Sequence, residues 1–319
     1  MEIFKLAPAA KDYIWGGNRL RSEYGVTSDS ERIGEAWVLS CNPVGRSRIS
    51  GGEFDGMSLA GVLSKNTDFM GTHSKNFKHF PVLVKFIDTQ DDLSVQVHPD
   101  DEYARETENE PGKFELWYVA DAEEDAEVIY GFSEEMTQEQ FREAIINGTL
   151  LDSLEHIKVE KGDVFFLEPG TVHAIGKGII MVEIQQNSNI AYRIYDYDRT
   201  DDEGNPRPLH IDRAIDVAVT VPAFHKPGPE RLPVEKDGRF ETLLGSCEYF
   251  SSRLMEINGE TSFDVDRTSF AHILILTGKV KIIDGKNIIH ASKGESLFVP
   301  AGYGKVTICG DGEFIVTTI

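Results

Sequence analysis

Short apolar runs punctuated by Gly, Pro and Asp recur along the chain: WVLS, PVLVKFID, SVQVH, FELWYVA, EVIYGF, DVFFLEP, IIMVEIQQ, then AHILILTGKVKIIDG, IIHAS and SLFVPAG. Their length and boundaries are those of strands in β-sandwiches and barrels. The chain is therefore expected to be mainly β. Helical signals are fewer. In MTQEQFREAIINGTLLDSLEHI, Thr137 stands three residues before Gln140, and Phe141, Ala144 and Ile145 follow at helical spacing. This predicts capped helical structure over about 137–156. HIDRAIDVAV and the region around MSLAGVLSK are shorter candidates.

A segment with four prolines, Pro222, Pro227, Pro229 and Pro233, cannot run as regular structure and reads as a linker. On either side of it lies a repeat. KGDVFFLEPGTVHAI begins at Lys161 and KGESLFVPAGYGKVTI at Lys293, and they align without a gap on Phe166 with Phe298 and Gly170 with Gly302. Two related β-barrels are expected, with a small helical insertion in the N-terminal half. The expected division is a first domain over 1–220, a linker over 221–235 and a second domain over 236–319. His173 of the first copy falls opposite Lys305 of the second, so any metal site belongs to the first.

With 40% hydrophobic and 27% charged residues the chain has the balance of a globular domain, not of a disordered or fibrous one. No window approaches the roughly 18 apolar residues of a membrane span, and the N-terminus lacks a signal-peptide pattern. A cytoplasmic protein without a membrane partner is the expectation. A net charge of −22 with no basic stripe argues against nucleic acid. Cys41, Cys247 and Cys309 are far apart and form no CxxC, which predicts reduced thiols.

Candidate chemistry gathers in a few phrases. In LSVQVHPDDEYA, alternation along an extended segment puts Gln96 and His98 on one face and Val95 and Val97 on the other. LEPGTVHAIG adds His173 after a Pro-Gly turn, and GKFELWYV adds Glu115. Two imidazoles, a carboxylate and an amide suit zinc, and also iron, manganese or cobalt. His156, His210, His225, His272 and His290 lack such company and read as surface or internally satisfied residues. The run DYDRTDDEG reads as a solvated acidic turn, because its spacing does not fit a calcium loop.

The phrases IWGGNRL, GEAWVLS, SVQVHPDD, GKFELWY, PGTVHAIGKG and QQNSNIAYRIYDYDR, in order from about Trp15 to Arg199, resemble the motifs of the type I phosphomannose isomerases in their short bacterial form. The resemblance implies a pair of cupin-type, jelly-roll-like barrels and one zinc ion per chain held by Gln96, His98, Glu115 and His173. It further implies roles for Arg193, Glu183, Lys113 and Ser94, by their positions in the motifs. Longer relatives read S-D-N-V-x-R-A-G around the arginine where this chain has NSNIAYRIYD, so its local contacts are expected to differ. The implied activity interconverts mannose 6-phosphate and fructose 6-phosphate through an enediol. Zinc and Arg193 would stabilise developing oxygen charge, and Glu183 or Lys113 would move the proton. Ser94, with one or more of Lys85, Lys113 and Arg193, would bind the phosphate. A non-catalytic sugar-phosphate sensor and another metal-dependent cupin enzyme are the alternatives.

Overall fold

A computed structural model describes residues 1–200, 203–224, 226–285 and 287–319. His225 of the sequence reading, and Asp201 and Asp202 of the acidic run, lie outside the described residues. The molecule is mainly β, with three antiparallel sheets. A six-stranded sheet runs Val164–Leu167, Glu115–Ala122, Ile179–Gln186, Val82–Asp88, Glu35–Leu39, Ala9–Lys11. A five-stranded sheet runs Tyr192–Tyr195, Val95–Val97, His173–Ile175, Glu127–Phe132, Leu154–Lys158. These two share a core in which Ile87, Trp117 and Met181 of the first meet Val128, Tyr130 and Ile175 of the second. Every residue of Val82–Asp88 and Ile179–Gln186 is buried, the mark of strands covered on both faces.

The third sheet has ten strands and is built mostly from the C-terminal part of the chain. Two of its strands come from the other end: Phe4–Ala7 pairs with Ser296–Val299 and with Arg48–Ser50. A division of the chain by residue number therefore leaves part of this sheet in the N-terminal segment. Among the described residues none of the three sheets closes on itself, so the expected closed barrels are not seen. The repeat has a structural echo: Gly162 and Gly294, and Gly170 and Gly302, all take positive φ in the turns flanking Val164–Leu167 and Ser296–Val299.

The helical segment is shorter than its sequence pattern. Thr137 Oγ1 accepts from Gln140 N at 3.1 Å while Gln140 Oε1 accepts from Thr137 N at 2.8 Å, forming the capping box. The helix Gln138–Asn147 then stops at Gly148, whose φ of 70° is left-handed, a conformation glycine reaches without a side-chain clash. A 3₁₀ turn, Leu150–Ser153, leads into the edge strand Leu154–Lys158. Short helices Leu59–Leu63 and Ile211–Val217 fall where the other two patterns put them. Among the described residues no helix is long and apolar enough to cross a membrane.

Candidate functional site

The site lies where the five- and six-stranded sheets face each other. Val95 and Val97 are fully buried in the core on one side of their strand, which turns Ser94, Gln96 and His98 to the other side. Gln96 is directly opposite His173 on one neighbour and Arg193 on the other. Arg193, Gln96 and His173 thus form a row on one sheet face.

The facing sheet contributes a second row. Trp37 is opposite Lys85, Lys85 opposite Glu183, and Glu183 opposite Trp117. Lys85 Nζ donates to Glu183 Oε1 at 2.8 Å and lies 3.8 Å from Glu35. Trp117 Nε1 donates to Glu183 Oε2 at 3.1 Å, and Trp37 Nε1 to Glu35 Oε2 at 2.6 Å. Burial opposes a charge on Lys85, but Glu183 and Glu35 outweigh it and raise its pKa. Two residues before Trp117, on the same face, stands Glu115.

His98, Glu115 and His173 bring their ligand atoms within 4.8 Å of one another, and all three are buried. Glu115 Oε1 is 3.3 Å from His98 Nε2, and its Oε2 is 3.6 Å from His173 Nε2. Burial lowers the pKa of both histidines, that of His98 to about 3 with Lys113 adding to the effect. Both are neutral. His173 Nδ1 lies 2.8 Å from the Thr171 carbonyl, which can only accept. The proton is therefore on Nδ1, and a bare Nε2 lone pair faces a carboxylate. Although burial opposes ionisation of Glu115, the Lys113 charge holds its pKa well below the ordinary carboxyl value. His173 Nε2 and Glu115 Oε2 lack hydrogen-bond partners among the described residues, while Glu115 Oε1 has the Lys113 ammonium beside it. Opposed lone pairs in a dry site are costly unless a cation lies between them. The donor set fits a divalent metal. Lys113 reaches the same place: its Nζ is 2.6 Å from Glu115 Oε1 and 3.1 Å from His98 Nε2.

Arg193 is half-buried, with Nε donating to Ser94 Oγ at 3.3 Å and an Nη to the Pro208 carbonyl at 2.8 Å. Its backbone N–H donates to His210 Nδ1 at 3.1 Å. Burial, then the nearby Arg207, lowers the Arg193 pKa. Of the other histidines, His156 bonds Glu127 and His272 bonds Ser296, while His290 is exposed. Lys305, opposite His173 in the repeat, is exposed. Among the described residues His98, Glu115 and His173 are the one such acid and imidazole group that could hold a metal. Glu35, Trp37 and Trp117 escaped the sequence reading. The available signal was an acidic residue two positions before a tryptophan in GEAWVLS and FELW, phrases that read as ordinary buried strand.

Residues 3–144 match the family described as phosphomannose isomerase type I, catalytic domain, and residues 240–319 that described as mannose-6-phosphate isomerase, cupin domain. The chain is 38% identical over 314 residues to mannose-6-phosphate isomerase ManA of Bacillus subtilis, spanning 97% of this chain and 96% of that protein. It is also 38% identical over 304 residues to the mannose-6-phosphate isomerase of Streptococcus mutans, spanning 95% and 94%. The crystal structure of a Bacillus subtilis mannose 6-phosphate isomerase superposes with a TM-score of 0.92 at 34% identity, covering all of both chains. The apo enzyme of Salmonella typhimurium, at 18% identity, shares the fold with a TM-score of 0.78 over 99% of this chain and 98% of that one.

Proposed function

The chain belongs to the type I phosphomannose isomerases and acts as a mannose-6-phosphate isomerase, and on that premise we propose a zinc-dependent proton transfer through an enediol. The observation that carries the metal is the bare Nε2 of His173 facing the Glu115 carboxylate in a buried site. His98, Glu115 and His173, with Gln96 beside them in the sheet, would hold the ion. Two imidazoles with oxygen donors suit zinc. When bound, the ion supplies a Lewis acid for the neighbouring carbonyl and hydroxyl oxygens of the sugar.

The chain's own groups do the rest. Lys113 is the proton carrier. Its Nζ lies among the ligand atoms, 2.6 Å from Glu115 Oε1, where a substrate carbon presented to the site comes within reach. Glu183, named with it from sequence, has both oxygens engaged by Lys85 and Trp117. Its role is to fix the buried ammonium of Lys85 beneath the site. Lys85 is correspondingly an internal charge partner, and the phosphate falls to Ser94 and Arg193, which lie together at the half-exposed end of their row. Arg193 also offers positive charge to the enediolate oxygen. Residues 1–220 carry this chemistry, and the described residues of 236–319 supply no acid or imidazole group for a metal. A phosphorylated sugar is retained inside cells by its charge, which favours the cytoplasm.

Isomerisation in deuterium oxide tests the enediol. Solvent deuterium should appear at C1 of fructose 6-phosphate and at C2 of recovered mannose 6-phosphate. Conversion with no solvent label in either sugar over many turnovers would mean direct hydride transfer and would remove the proton-carrier role.

A further inference from the structure

We propose that Asp101 is a positioning residue that clamps residues 112–114, and with them Lys113, and that Tyr249 from the C-terminal part of the chain completes the clamp. The inference rests on the proton-carrier role of Lys113. Three successive backbone N–H groups ahead of Glu115 each have a dedicated acceptor. Gly112 N donates to Asp101 Oδ1 at 2.7 Å, Lys113 N to the Pro99 carbonyl at 3.1 Å, and Phe114 N to Gln186 Oε1 at 2.8 Å. Gln186 in turn donates from Nε2 to Asp101 Oδ1 at 3.0 Å. One carboxylate oxygen therefore ties the Lys113 segment to the central strand Ile179–Gln186. The close approach has no slack, since a Cβ on Gly112 would sit 2.4 Å from the Asp100 carbonyl carbon.

The second oxygen of Asp101 faces the other sheet system. Tyr249 OH donates to Oδ2 at 3.0 Å, and the Tyr249 ring sits against Phe114 and Phe77 with centroids 5.8 and 6.1 Å apart. Arg105 is a distant partner at 3.8 Å from that oxygen. Tyr249 and Gln186 are buried, and Asp101 between them is half-buried. Asp101 touches neither Lys113 Nζ nor the ligand atoms, and its effect passes through the backbone it holds. This gives the C-terminal part, which lacks metal ligands, a share in the reaction. A misplacement of about 1 Å in a reacting group can cost roughly a hundredfold in rate.

A double-mutant cycle tests it on metal-loaded full-length protein. Asp101→Ala should lower kcat about ten- to a hundredfold, with KM within about threefold and metal content unchanged. Asp101→Asn should recover most of the loss, because one amide oxygen can accept from both Gly112 and Gln186. Tyr249→Phe, which keeps the ring packing, should lower kcat about three- to tenfold. In a Lys113→Ala background both losses should shrink to under about threefold. Losses that persist in full in that background overturn the clamp while leaving the role of Lys113 intact. Near wild-type kcat for Lys113→Ala overturns the role of Lys113 and the clamp with it. Should Asp101→Ala fail to fold, Tyr249→Phe alone and in the Lys113→Ala background runs the same cycle. Wild-type kcat for Tyr249→Phe would then remove the C-terminal contribution.

Discussion

Replacing Glu183 by Gln should destabilise the protein by about 3 kcal/mol without changing its fold. Glu183 and Lys85 face each other across two central strands, each about 3% exposed, with Nζ 2.8 Å from Oε1. Burial alone favours a neutral amine, yet Glu183 and Glu35 hold Lys85 in its charged form. Removing one partner of a buried pair costs about 3–5 kcal/mol, because the remaining charge is left in a dry interior. Two features place the loss at the low end: the amide keeps a carbonyl for Nζ, and Glu35 is only 3.8 Å away. Removing both charges, as Lys85→Met with Glu183→Leu, should leave stability within about 1 kcal/mol of the original. Urea unfolding of the original protein, Lys85→Met, Glu183→Leu and the double variant, with about 3 kcal/mol lost in each single variant, should then give a coupling on the order of 5 kcal/mol between the two sites. Turnover should fall in all three variants, since each disturbs the floor of the site. An unchanged urea midpoint for Glu183→Gln, or a double variant less stable than either single one, would refute the pairing argument. Loss of turnover without loss of stability in Glu183→Gln would instead make Glu183 the proton carrier.

Arg193→Ala should retain metal while kcat falls by roughly two orders of magnitude or more, with Lys restoring only part, because Lys lacks the planar fork; a defect confined to KM would mean that Arg193 only grips phosphate. Glu115→Ala should lose activity through loss of metal, and elemental analysis showing an inactive but metal-replete variant would assign Glu115 to the chemistry itself. His272 is fully buried and its pKa is pushed down to about 3, so below about pH 6.5 the unfolded chain binds a proton that the folded chain refuses. Stability should therefore fall with pH by about 1.4 kcal/mol per unit between 6.5 and 3 on this account. His272→Gln should flatten that slope while leaving turnover within about threefold, and parallel urea-midpoint curves for the two proteins from pH 7.5 to 5 would refute the assignment.

What could be read from sequence was what local periodicity controls. Gln96 and His98 share a face because strand side chains alternate, and the turn before His173 is written in Pro-Gly. The pairing of Lys85 with Glu183 was not legible, although both residues stood out, because strand register is a long-range property. The same limit hid the pairing of Phe4–Ala7 with Ser296–Val299. Helical periodicity ran past Gly148 because Leu150, Leu151 and Leu154 continue an apolar spacing that the structure uses for a 3₁₀ turn and an edge strand. Trp37 and Trp117 looked like core. They are core, but their indole N–H groups hold the site's carboxylates.

The most direct measurement is conversion of mannose 6-phosphate to fructose 6-phosphate by the purified protein, before chelation, after it, and after return of zinc, with metal content read alongside. The account predicts turnover that disappears with the metal and returns at one equivalent per chain. It also predicts no binding and no recovery in the combined His98→Ala and His173→Ala variant. Turnover that persists in metal-free protein, or full metal retention by that double variant, would contradict it.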